Sequence, residues 1–108
     1  MSHKVIVLDL AKPDFREIRS HVQKDFGDIV WNEVNLAFKD MFRKIGARPE
    51  NGKEMEELRQ VGKQNFRFRM VGQTKIVYEF NDTEVLVHMF IHTRRDFRTH
   101  LMNRLVNS

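Results

Sequence analysis

The chain of 108 residues has no cysteine, only two prolines and five glycines, and a single tyrosine and tryptophan. Without cysteine there is neither a disulfide framework nor a thiolate zinc site, and a core that needs no such staples suits a reducing compartment, so the cytoplasm is the expected location. The first residues, "MSHKVIVLDLAKPD", hold a short apolar run broken by Asp9, too short for a secretion signal and far below the length that crosses a bilayer. No stretch repeats at a period of 20 to 50 residues, which excludes solenoids and propellers. No glycine-rich phosphate loop, HExxH, GxSxG or EF-hand loop occurs. The five histidines, at positions 3, 21, 88, 92 and 100, lack dense carboxylate company, so neither a metal site nor a cofactor is expected.

What is present is a folding composition: 41% apolar and 31% charged residues, unlike a disordered tail or linker. At this length a single domain spanning 1–108 is expected. The net charge is +4, unevenly spread: residues 1–57 carry ten Lys/Arg against eleven Asp/Glu, whereas 58–108 carry nine against four. Between Leu58 and Tyr78 there is no acidic residue, while Arg59, Lys63, Arg67, Arg69 and Lys75 supply cations. Such asymmetry points to a polyanion or an acidic partner, against the alternative of a basic face kept for solubility.

Periodicity divides the chain into elements. "KVIVLDL" is β-branched and aliphatic and predicts an N-terminal strand. "PDFREIRSHVQKDFG" places Phe15, Ile18, Val22 and Phe26 at helical spacing between Pro13 and Gly27. "DIVWNEVNLAFKDMFRKIG" repeats the pattern with Val34, Ala37, Phe38, Met41 and Ile45, capped by Asp28 and ended by Gly46. Two helices joined so tightly predict an antiparallel hairpin. A polar connector over 47–64 follows, with one helical turn expected at "EMEELR". The period then becomes two: "NFRFRM", "TKIVYEF" and "EVLVHMFIH" predict a three-stranded antiparallel meander, and "TRRDFRTHLMNRLVNS", with Phe97, Leu101 and Leu105, a short closing helix. The expected class is α+β, with the hairpin packed on one face of a twisted antiparallel sheet and the other face partly open.

Strand alternation also assigns faces. If Phe66 and Phe68 share the core with Ile76, Tyr78 and Phe80, then Arg67, Arg69 and Lys75 leave the opposite face together. With Val85, Val87, Met89 and Ile91 directed to the core, His88 and His92 join them. Metal-independent RNA cleavage needs a proton acceptor, stabilisation of phosphorane charge and a proton donor, functions that Arg, Lys and His supply. His100 precedes Leu101 and borders either the cleft or solvent. Arg94 and Arg95 begin the last helix, where the dipole disfavours positive charge, a placement that points to binding. Trp31 and the phenylalanines match core positions rather than an RNA-stacking platform, and the aromatic motifs of RNA-recognition sheets are absent.

In order and spacing, "DFREIRSHVQKDFG", "ARPENGKEMEELR", "FRFRMVGQTKIVYEF" and "VLVHMFIHTRRDF" resemble the ParE/RelE superfamily of bacterial toxins from toxin–antitoxin systems, over roughly residues 4–105. The resemblance implies a RelE-like fold, no cofactor, and a cognate antitoxin that wraps the toxin in a hetero-oligomeric complex. "HTRRD" looks like the ParE branch, whose members poison DNA gyrase; this implies a contact region that includes His88, His92, Arg94, Arg95 and Arg98. The RelE branch cuts messenger RNA on the ribosome, and matched by position it implies catalytic roles for Arg67, Arg69, Lys75 and Arg95. Where that branch carries a tyrosine in its last helix this chain has Leu101, which exchanges no proton, so His100 would have to take its place. Tyr78 is expected in the core. The gyrase-directed, binding-module reading is the first expectation and the endoribonuclease the alternative.

Overall fold

The fold is described from a computed structural model over residues 2–62 and 65–92. The N-terminal strand β1 (Lys4–Val7) leads through a tight turn at Asp9–Ala11 into the long helix α1 (Lys12–Ala47). A second tight turn at Pro49–Asn51 precedes the two-residue strand β2 (Lys53–Glu54) and the single helical turn α2 (Glu56–Arg59). Strands β3 (Phe66–Val71), β4 (Thr74–Phe80) and β5 (Glu84–His92) complete the described chain. The expected closing helix, with His100 and Arg94, Arg95 and Arg98, lies outside the described residues.

Helix α1 is broken at Gly27, whose backbone takes φ 88° and ψ 175°. That conformation is accessible almost solely to glycine, because a Cβ would clash with the residue's own backbone. The break reverses the chain. A straight helix would hold Phe15 and Phe38 about 35 Å apart, yet their ring centroids are 5.2 Å apart and Phe15 also meets Trp31 at 5.6 Å. Both halves of α1 therefore turn apolar side chains toward one sheet face, where Phe90 contacts Phe15, Phe38 and Phe42. Edge-to-face and tilted ring packing of this kind adds to the burial of large apolar area.

The molecule is α+β, and its five-stranded sheet is mixed, in the order β1-β5-β4-β3-β2. This corrects the expected antiparallel sheet: the meander β3-β4-β5 is antiparallel, but β1 joins β5 in parallel, pairing Lys4 with Glu84 through Val7 with Val87. Hydrophobic periodicity identifies a strand without saying which edge it joins or in which direction. Beyond Val87, the last β5 residue paired with β1, the Phe90 N–H donates to the Asp14 carboxylate at 3.3 Å. Asp14 thus supplies the acceptor a longer β1 would have provided, and it ties α1 to the sheet.

Apolar side chains cover both sheet faces. On the α1 side, Ile76, Tyr78, Val85, Val87 and Phe90 pack with Ala11, Phe38 and Ile45. On the other, Phe66, Val77, Met89 and Ile91 pack with Met55 and Leu58 from the α2 region. The face expected to be partly open is therefore partly roofed by the connector. Substituting Gly27→Ala is expected to lower unfolding free energy by about 1–3 kcal/mol, whereas Leu36→Ala, at a position 65% exposed, should change it by less than about 0.5 kcal/mol. Urea denaturation of the two variants checks the contrast.

Candidate functional site

The turns between strands decide which charged residues share a surface. Gly72 and Gln73 make a two-residue connection between Val71 and Thr74, with Gly72 at φ 58° as a tight hairpin requires. This register pairs Arg67 with Tyr78 and Arg69 with Ile76, so both arginines lie on the α1 face, not opposite it. Lys75 pairs with Met70 and Ile91 on the other face, and its ammonium sits 4.4 Å from the centroid of the Phe68 ring. The expected grouping of Arg67, Arg69 and Lys75 is thus divided by the sheet.

The histidines are divided as well. Val77 pairs with Met89 but Tyr78 with Val87, so His88 is an extra residue of β5 set into the ladder between those two pairs. It lies on the α2 side, where its Nε2 is 3.1 Å from Glu79 Oε1 and its ring is 5.0 Å from that of Phe66. His92 pairs with Thr74 and is exposed. It lines a groove of about 1040 Å³ between α1 and the sheet, together with Ile18, Val22, Val34, Phe38 and Phe90. Arg94, Arg95, Arg98 and His100, the remaining expected site residues, are outside the described region.

Tyr78 is fully buried, as expected, and its hydroxyl donates to the Pro49 carbonyl at 2.6 Å. Burial pushes its pKa up to about 12, with the nearby Arg69 and Arg67 acting in the opposite direction. The phenol stays protonated at neutral pH and serves as an anchor for the 49–52 turn. Gly52 fits beneath it because it has no side chain: a Cβ would collide with the Tyr78 hydroxyl and lie 2.9 Å from Arg67 Cβ.

Beside this anchor the guanidinium of Arg67 lies over the Phe80 ring, 5.6 Å from its centroid, and donates to the Phe66 carbonyl at 3.1 Å. It also faces Glu54 at 3.6 Å, while Arg59 donates to the same carboxylate at 2.9 Å. The Arg59 hydrogen bond, followed by the charge of Arg67, holds the Glu54 carboxyl below the usual carboxylate range, and Glu54 in turn raises Arg59. Sequence reasoning missed Glu54 and Arg59. Arg59 belongs to the acid-free basic run, but nothing in the polar connector marks Glu54 as its partner, because the pairing depends on β2 reaching the sheet edge.

Among the described residues no group of three or more His, Asp or Glu side chains is arranged to hold a metal ion, and no helix is long and apolar enough to cross a membrane. Compared with known proteins, the chain matches no family model and no curated protein.

Two outcomes follow from the Tyr78 anchor and the Glu54 pairing. Tyr78→Phe removes the donor to Pro49 and is expected to destabilise the fold by about 1–3 kcal/mol, measurable by chemical denaturation. The Glu54 carboxyl is depressed, so the stability it contributes is present above the ordinary carboxylate range and disappears as pH falls through its lowered value. Stability measured against pH should therefore fall less at acid pH for Glu54→Gln than for the unaltered chain.

Proposed function

We propose that the chain is the toxin of a type II toxin–antitoxin pair in the ParE/RelE superfamily. In this reading it arrests growth in ParE fashion by inhibiting DNA gyrase in the cytoplasm, and a cognate antitoxin neutralises it in a hetero-oligomeric complex. The support is the ordered series of motifs together with the order of elements. A strand, a helix folded back on itself and an antiparallel meander are in keeping with the RelE-like arrangement, in which the two helical segments form an antiparallel hairpin on the sheet.

The observation that favours binding over cleavage is the separation of the cations. Cutting a phosphodiester needs the groups that stabilise phosphorane charge and move protons to converge on one phosphate. Here Arg67 and Arg69 lie on one sheet face and Lys75 on the other. A binding module needs no such convergence. Positive charge distributed over both faces of the meander, with further cations in the sequence "HTRRDFRTH", suits contact with a large partner.

Expression from a tight promoter in a bacterium tests this reading. The expected outcome is growth arrest with gyrase trapped on cleaved DNA and intact transcripts. Transcripts cut in codon register would replace it with the endoribonuclease reading, in which Arg67, Arg69, Lys75, Arg95 and His100 act on ribosome-bound messenger RNA. In that case Arg95→Ala combined with His100→Ala should abolish arrest. Normal growth would remove both toxin readings and leave a basic α+β domain that binds a partner.

A further inference from the structure

The Glu54 carboxylate lies between two guanidinium groups: Oε2 accepts from Arg59 Nη1 at 2.9 Å, and Oε1 is 3.6 Å from Arg67 Nη2. One anion presenting separate oxygens to two arginines is the arrangement by which a phosphate bridges such a pair. The two sides of this contact differ in how firmly they are held. The Arg67 side chain is only 15% exposed and has further support from the Phe80 ring and the Phe66 carbonyl. Glu54 is 47% exposed on its side chain and sits on β2, which makes two pairs with β3 at the edge of the sheet.

An ion pair this exposed is weak, since water and salt screen it. Arg67 is kept in place by contacts that do not involve Glu54, so removing the carboxylate leaves the arginine positioned. Arg69 adds positive charge on the same face of β3, and Glu56, whose charge acts on Arg59, and Glu50, whose charge acts on Tyr78, offset part of it. A phosphate monoester or pyrophosphate carries more negative charge than a single carboxylate and brings more acceptor oxygens, so it is drawn to this surface more strongly, whereas a backbone phosphodiester gains only from the summed charge of its strand.

We propose that Arg59 and Arg67 form a cradle for a phosphate oxyanion, and that Glu54 is its built-in competitor, filling the cradle until a phosphate ester displaces it. The cradle is a binding site, is independent of the toxin reading, and is tested on the purified chain. Calorimetric titration at low salt with pyrophosphate, and separately with a short single-stranded RNA, measures it. Glu54→Gln, which keeps the size and removes the charge, is expected to bind pyrophosphate about tenfold more tightly than the unaltered chain. Adding Arg59→Gln should remove that gain, while Lys39→Gln, an exposed charge change on α1, should leave it intact. Thermal melts establish that each variant is folded, and Glu54→Ser provides a second release of the cradle if Glu54→Gln is not. A gain with pyrophosphate alone supports the cradle as a site for free phosphate esters, and a larger gain with RNA supports it as a site for backbone phosphate. Equal affinity of the unaltered chain and the folded Glu54 variants, or a gain that survives Arg59→Gln, overturns the proposal.

Discussion

Between Val77 and Tyr78 the β4–β5 ladder takes in one more residue on β5 than on β4, and the packing on both sheet faces depends on that insertion. Side chains alternate along a strand, so an extra residue exchanges the faces of all that follow it. Val85 and Val87 pack toward α1; beyond His88 it is Phe90 that does so, while Met89 and Ile91 turn to the α2 side. Unbroken alternation would take Phe90 away from Phe15, Phe38 and Phe42 and send two aliphatic side chains in its place. The bulge lets the edge of the aromatic cluster and the smaller second core draw on one strand.

The connector between α1 and β3 is tied to this framework at three levels. Tyr78 holds the Pro49 carbonyl from within the core, Gly52 passes close beneath its hydroxyl, and Glu54 bridges Arg59 and Arg67 at the edge. Strength falls from inside to outside, because the buried hydrogen bond is shielded from water and the exposed ion pair is not. The connector is thus anchored where Tyr78 needs a partner and exchangeable where arginines face solvent. Met55 and Leu58 then carry it over the second sheet face. The charged residues of the meander are consequently sorted between two different surroundings.

Much of the secondary structure was legible, for identifiable reasons. The helical spacing from Phe15 to Ile45, broken by a glycine, matches α1 and its break at Gly27. The alternations in "NFRFRM", "TKIVYEF" and "EVLVHMFIH" match β3, β4 and β5. The face assignment failed at one identifiable point. Grouping Phe66 and Phe68 with Ile76 and Tyr78 presumes one buried face, whereas each strand here buries side chains on both. The signal that could have corrected it is "VGQT": a two-residue turn with glycine first pairs Val71 with Thr74 and thereby Arg67 with Tyr78. The bulge at His88 left no comparable mark, because "VLVHMFI" reads equally well as unbroken alternation.

By itself the sequence determined the class of the fold, the positions of its helical segments and of four of its five strands, the need for glycine at the helix break and the concentration of positive charge after residue 57. These follow from local preferences: the spacing of apolar side chains, the backbone freedom of glycine and the count of charges along the chain. Only the tertiary structure decided that β1 runs parallel to β5, that Arg67 and Lys75 lie on opposite faces, and that Glu54 stands between Arg59 and Arg67. Each of these depends on strand register or edge choice, where a shift of one residue reverses every side chain while leaving the local pattern unchanged.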